Sequence, residues 1–255
     1  MKCIKHNLPN ANIRIKFLSD WHIGSKKCNW TQIHADVNEI STNEDTYCVL
    51  LGDIVDNATR TSVGDIYDEP LSPMEQMKLA VETLEPIKDK ILGIVSGNHE
   101  QRSYRTEGQD VTWYLAKCLD CIDVYDPVAV LLFIRFGSST KNSNSKQCYT
   151  LYATHGAGGG RTIGAKANAL EKRSQIVNAD IVAVGHTHQP LSWKECSYEI
   201  CYGNSSVKLK ETTFVNVASA LNYEAYAEQF GLKPSCCKSP EVYLKGDKKN
   251  VQVLL

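Results

Sequence analysis

The sequence predicts an α/β protein in which two mixed β-sheets pack together between helices. Three observations carry this expectation. Up to His99, short apolar runs alternate with helical patterns in the order β-α-β-α-β, which argues for a partly parallel sheet flanked by helices. Beyond that point the chain is richer in strands. Finally, the residues best suited to chemistry fall at the ends of apolar runs, where ligands gather in α/β sheets.

The elements follow in order. NIRIKFLSD (12–20) reads as a strand, and Asn29 is placed to cap a helix with Ile33, Val37 and Ile40 on one face. TYCVLLGD (46–53) is a second strand. Ser72-Pro73 reads as N-cap and first helical position of a helix burying Met77, Val81 and Leu84. ILGIVSGNH (91–99) is a third strand. VAVLLFIRFG (128–137) and QCYTLYATHG (147–156) flank the polar stretch SSTKNSNSK, as in a hairpin. A helix is expected from about Ile163 to Val177, then the strand IVAVG. Further candidate strands lie near 193–201, 206–210, 213–218, 241–245 and 251–255. With no repeat, low-complexity tract or clear linker, residues 1–255 read as a single domain.

Composition sets the outer bounds. Of the 255 residues, 42% are apolar and 22% charged, and the formal net charge is −1. Such a balance is that of an ordinary globular chain with no global pull toward nucleic acid or membrane. The N-terminal stretch lacks the apolar run of a signal peptide, and nothing approaches the roughly 18 apolar residues of a membrane span. The ten cysteines are therefore expected as reduced thiols in the cytoplasm. Cys118 and Cys121 form a C-x-x-C, but a zinc knuckle needs two such pairs at matched spacing. Packing is the expectation for both, with Cys118 on the apolar side of a helix beside Val111, Tyr114 and Leu115.

The chemistry-bearing residues form a set. The first strand ends in Asp20-Trp21-His22 and the second in Gly52-Asp53, followed by Asp56 and Asn57. The third ends in Gly97-Asn98-His99-Glu100, a later one in His155-Gly156, and IVAV runs into Gly185-His186-Thr187-His188. Five of the seven histidines lie in these motifs, and only His6 and His34 stand apart as ordinary packing or surface histidines. Glycines beside the candidates let the backbone turn sharply and approach a ligand. Aspartate, asparagine and histidine are mixed oxygen and nitrogen donors that suit divalent first-row metals. They are too many for one ion. Two ions roughly 3.5–4 Å apart, bridged by a carboxylate and a water, would use them all and would clamp an in-line phosphoryl displacement. A Walker loop and a G-x-S-x-G are both absent from the sequence.

The ordered motifs D-x-H, GD-x-x-D, GNHE, HG and GHTH, spanning residues 20–188, resemble the calcineurin-like metallophosphoesterases. The resemblance implies a four-layer α/β/β/α sandwich with a dinuclear metal site. It implies that Asp20, His22 and His188 hold one ion, that Asn98, His155 and His186 hold the other, and that Asp53 bridges them. It gives His99 a role at the leaving-group oxygen, as general acid or phosphate contact, and Asp56 the role of orienting His99. Manganese is the first expectation for the metal, with iron, zinc, nickel and cobalt as alternatives.

The chain departs from the phosphoprotein phosphatases of that family, which read GD-x-x-DRG with a phosphate-gripping arginine. Here Asn57 stands at that position, which counts against a protein serine/threonine phosphatase. Arg102, Arg105 and Arg161 are the substitute candidates for contacting substrate. The expected activity is hydrolysis of a phosphodiester, nucleic acid or nucleotide included, by a metal-bridging hydroxide. A helix bearing Lys166, Lys172 and Arg173, diluted by Glu171, offers nucleic acid weak support. A phosphomonoesterase, acting on a nucleotide or a phosphoprotein with the same site, is the alternative, and a non-catalytic scaffold the remote one, since neither a ligand position nor His99 is lost. Oligomeric state stays open.

Overall fold

In this computed structural model, residues 1–59, 62, 70–138, 146–158, 160, 162–223 and 238–255 are described. In chain order the elements are β1 (Lys2–Asn7), β2 (Asn12–Leu18), α1 (Trp30–Thr42), β3 (Thr46–Leu50), α2 (Pro73–Leu84) and β4 (Ile91–Val95). There follow α3 (Glu100–Glu107), α4 (Val111–Cys118), β5 (Tyr125–Asp126), β6 (Ala129–Phe136), β7 (Gln147–Thr154) and α5 (Ile163–Ser174). The last are β8 (Ile181–Val184), β9 (Leu191–Cys201), β10 (Ser206–Asn216), β11 (Glu241–Lys245) and β12 (Val251–Leu254). None of the helices among the described residues is long and apolar enough to cross a membrane.

Two mixed sheets result, as expected. One runs β12-β11-β2-β3-β4-β5 and is parallel from β2 to β5. The other runs β1-β6-β7-β8-β10-β9, with β7, β8 and β10 parallel. Alternation along β2 sends Ile13, Ile15 and Phe17 into the core between the sheets, where they meet Val130, Leu132 and Ile134 of β6. A second core lies under α1, α2 and α4, and a third, smaller one lies between the other sheet and α5. The layers are therefore α/β/β/α.

Local signals explain the helix starts. The Asn29 side chain accepts from Gln32 N, and Ser72 and Glu75 form a reciprocal capping box ahead of Pro73. Several expectations are corrected. α2 buries Gln76, Ala80 and Leu84, while Met77 and Val81 are only partly buried. The polar Gln76 turns inward because its amide serves backbone groups, accepting from Asn57 N and donating to Leu71 O. On α4, Cys118 and Tyr114 are exposed and Thr112, Leu115 and Ala116 are buried. The Ser96 hydroxyl lies 2.7 Å from that of Thr112 and sets this face. Cys121 is buried, as expected. The candidate strands at 206–210 and 213–218 are one strand, β10, paired with β9 along its whole length. Residues 139–145 of the connection after β6 lie outside the described residues, but β6 and β7 pair antiparallel as a hairpin requires.

Candidate functional site

β2, β3 and β4 are parallel neighbours, so their carboxyl ends share one edge, and β7 and β8 bring theirs to the same place from the facing sheet. The residues that follow these ends turn inward through an unusual backbone. Asp20, His22, Asp53, His186 and His188 have φ of 54°, 49°, 52°, 66° and 58°. A side-chain-bearing residue in that region costs about 1–3 kcal/mol and persists only where its surroundings over-determine it. Five such residues in one place mark the site more sharply than their chemistry alone. Close approach also fixes a glycine: a Cβ on Gly97 would lie 2.1 Å from Asp53 Oδ1.

The histidine tautomers follow from their partners. His155 Nδ1 lies 2.6 Å from Leu51 O, and a carbonyl can only accept, so Nδ1 carries the proton. Its Nε2 then faces Asn98 Oδ1 at 3.0 Å and Asp53 Oδ2 at 3.2 Å. His22 Nδ1 lies 3.0 Å from Asp56 Oδ1, which leaves its Nε2 facing His188 Nε2 at 3.4 Å. His188 Nε2 in turn is 3.0 Å from Asp20 Oδ1, and Asp20 Oδ1 is buried without a hydrogen-bond donor. His186 Nδ1 meets Asn98 Oδ1 at 2.8 Å. Carboxylate and amide oxygens thus converge on imidazole nitrogens, a ligand set that a divalent cation satisfies. Among the described residues, three groups offer ligand atoms within 4.8 Å of one another: Asp20, His22 and His188; His22, Asp53 and His99; Asp53, His155 and His186.

The electrostatics show a demand for positive charge here, which a protonated imidazole or a bound cation can meet. Burial works against the charge of Asp20, yet His188 prevails and brings its pKa down to about 2. Burial likewise opposes the Asp53 carboxylate, but the hydrogen bond and charge of His155 hold it far below the usual range. Burial disfavours the imidazolium of His155, and Asp53 overcomes this and lifts its pKa to about 9. Burial lowers the pKa of His22 and His186, keeping them suited to ligation as neutral rings.

His99 sits beside this cluster and not in its middle. Its Nδ1 lies 2.8 Å from Asp56 O and 3.1 Å from Asp56 Oδ1, and its Nε2 is 3.9 Å from Asp53 Oδ2. Asp56 therefore touches both His99 and His22. Arg102 donates to His99 Nε2 at 2.9 Å and to Asp56 O at 3.1 Å. Burial opposes the charged form of His99, but Asp56 and Asp53 outweigh it and raise the pKa. Of the other arginines, Arg105 is exposed one turn along α3 with Gln101 as its partner, and Arg161 lies outside the described residues. Lys166 does not belong to an outward basic track: its Nζ donates to Thr187 O at 2.8 Å.

Two site residues had no expected role. Glu100 is buried, and its carboxylate accepts four backbone N–H groups: Asp53 and Gly97 at Oε2, Ile54 and Val55 at Oε1. It moulds the turn that presents Asp53. Its signal was its place in GNHE, as the acidic residue of the first turn of α3. Asn57, in place of the phosphatase arginine, is buried and donates to His99 O and Ser103 Oγ, stapling the second turn to α3.

Comparison with solved structures finds similarity to an uncharacterised protein, described as a predicted phosphoesterase, from Streptococcus pneumoniae. Identity is 16%, coverage 96% of this chain and 90% of that one, and the TM-score 0.42. Vacuolar protein sorting 29 from Cryptosporidium parvum is similar at 15% identity, with 96% and 98% coverage and a TM-score of 0.48. The zinc complex of the Entamoeba histolytica protein of that name is similar at 12% identity, with 95% and 97% coverage and a TM-score of 0.42. No curated protein matches the chain. The description of the calcineurin-like phosphoesterases matches residues 13–190, a span that contains every convergent aspartate, asparagine and histidine above, and this chain belongs to that family.

Proposed function

We propose that the chain is a single-domain, dinuclear-metal-dependent phosphodiesterase. The observation that carries this reading is the convergence of Asp20, His22, Asp53, Asn98, His155, His186 and His188, with the buried Asp20 Oδ1 left without a donor. The donor set of carboxylate, amide and imidazole fits divalent first-row ions, manganese first. Asp20, His22 and His188 would hold one, Asn98, His155 and His186 the other, with Asp53 shared. Such a pair supplies a water made nucleophilic near neutral pH and a clamp on the phosphoryl oxygens.

The remaining work falls to the chain's own residues. His99 keeps a proton on Nδ1 for Asp56, which fixes the ring and leaves Nε2 as the atom that handles the leaving-group proton. Arg102 now donates to that Nε2. Substrate oxygens would compete for its guanidinium, releasing Nε2 to be protonated. Asp56 orients His99 and, through Oδ1, also the ring of His22.

A diester suits the site better than a monoester. Asn57 removes the usual phosphate-gripping arginine, and Arg102 is the arginine that reaches the site among the described residues. A diester carries one negative charge where a monoester at neutral pH carries nearly two, so it demands less cationic grip. The test is turnover of the Mn²⁺-loaded protein on bis-nitrophenyl phosphate, nitrophenyl phosphate, single-stranded DNA and cyclic nucleotides. A higher kcat/KM for the diesters is expected, and preference for the monoester would overturn that choice. No turnover of any ester with Mn²⁺, Ni²⁺, Co²⁺ or Zn²⁺ would overturn the enzyme reading.

A further inference from the structure

The turn that carries both GHTH histidines is held from two sides by groups that are not themselves ligand candidates. Lys166, in α5, donates from Nζ to Thr187 O at 2.8 Å and to Gln189 Oε1 at 3.1 Å. Asn216, the last residue of β10, is 1% exposed and donates from Nδ2 to Thr187 Oγ1 and Gln189 O. Thr187 is thus gripped at its carbonyl by one residue and at its hydroxyl by the other. On either side of it, His186 and His188 hold φ of 66° and 58°. Strained backbone of this kind relaxes unless neighbours pin it. α5 also follows directly on the loop that leaves His155, so Lys166 links the chain after one ligand candidate to the turn bearing two others. Burial lowers the lysine's pKa, in keeping with an amine drawn off solvent onto that turn.

We propose that Lys166 and Asn216 are positioning residues of the metal centre: a clamp on Thr187 that directs His186 and His188 to different ions. This rests on the two-ion reading. It makes a prediction that losing either GHTH histidine alone does not. Because one turn feeds both ions, loosening it weakens both together. Residues that orient ligands typically alter metal affinity by about 10–100-fold.

The experiment is calorimetric titration of the chelator-stripped full chain with Mn²⁺, alongside its melting temperature in chelator. Wild type should take up two ions. Lys166→Met should weaken both steps by about tenfold or more, while melting in chelator stays close to wild type. Lys166→Arg, which keeps a donor on a long stem, should recover most of the affinity. Thr187→Val is near-isosteric and removes only the hydroxyl contact to Asn216; it should weaken both steps by a smaller factor and covers the case in which Lys166→Met fails to fold. Wild-type affinity in a folded variant, loss at one step only, or a lower melting temperature with unchanged affinity would each overturn the clamp. A wild type that binds no Mn²⁺ would overturn the two-ion reading itself, and that failure shows before any substitution is made.

Discussion

Asp53 accepts the His99 N–H at Oδ1, and its Oδ2 lies 3.2 Å from His155 Nε2. Asp53→Asn keeps a carbonyl oxygen for the first contact and loses the charge at the second. It is expected to weaken binding of both ions and to remove most activity, because a neutral amide cannot hold two cations together. Two tightly held ions at wild-type turnover would contradict the bridge. His99 separates from the ligands by a different measurement. His99→Ala should leave both ions bound and slow turnover by roughly 10²–10⁴, the range for a lost general acid. The loss should be smallest for nitrophenolate leaving groups, which depart without a proton, and largest for alkoxides. A mutant-to-wild-type ratio that ignores leaving-group pKa would mean that His99 holds phosphate instead.

Between residue and fold stands α3, whose first residue, Glu100, grips the turn after β3. Glu100→Gln replaces one acceptor oxygen with a donor-only amide NH2 that faces backbone N–H groups, stranding at least one buried donor at about 1–3 kcal/mol. Chemical denaturation should show that loss, and Mn²⁺ affinity should fall with it because the turn presents Asp53. A comparable exposure to substitution lies far from the site, on β2. Lys16 is buried with Nζ 2.9 Å from Asp36 Oδ1 and 2.6 Å from Glu39 Oε2, and Ser239 Oγ donates to Asp36 Oδ2. Lys16→Met leaves the Asp36 carboxylate buried and unpaired, at about 3–5 kcal/mol. Burial works to lower the lysine's pKa, but Asp36 and Glu39 outweigh it and raise it above the ordinary 10.5. The stabilisation is therefore fully present below that ordinary value and fades as pH climbs through the raised one. The stability gap between wild type and Lys16→Met should be constant from neutral pH to about 10 and narrow above it.

For the whole molecule, ligand candidates drawn from both sheets mean that metal bound among them would tie the two halves of the sandwich together. A ligand at 100 times its Kd stabilises by about 2.7 kcal/mol per site. For a chain of this size that corresponds to a rise in Tm of about 5–10 °C for one ion. Mn²⁺-loaded and chelator-treated protein should differ by at least this in a thermal scan, and superimposed melts would count against any metal centre built from these residues.

Sequence alone determined the two mixed sheets, the strand ends that matter and the residue types gathered there, because hydrophobic periodicity and short motifs are local and survive without the fold. It did not reveal β1, where only Ile4 is buried, nor α3, whose EQRSYRTE has no apolar stripe. Nor could it place Cys118 outside the core or Gln76 within it, since the Ser96–Thr112 and Gln76–Asn57 contacts that turn those helices join residues far apart in the chain. Tertiary structure alone decided that Arg102 reaches His99 while Arg105 faces solvent, that Asn57 is a staple, and that Lys166 turns in upon Thr187. The physical reason is common to all of these. A residue type states what a side chain can bind, but packing decides what it meets.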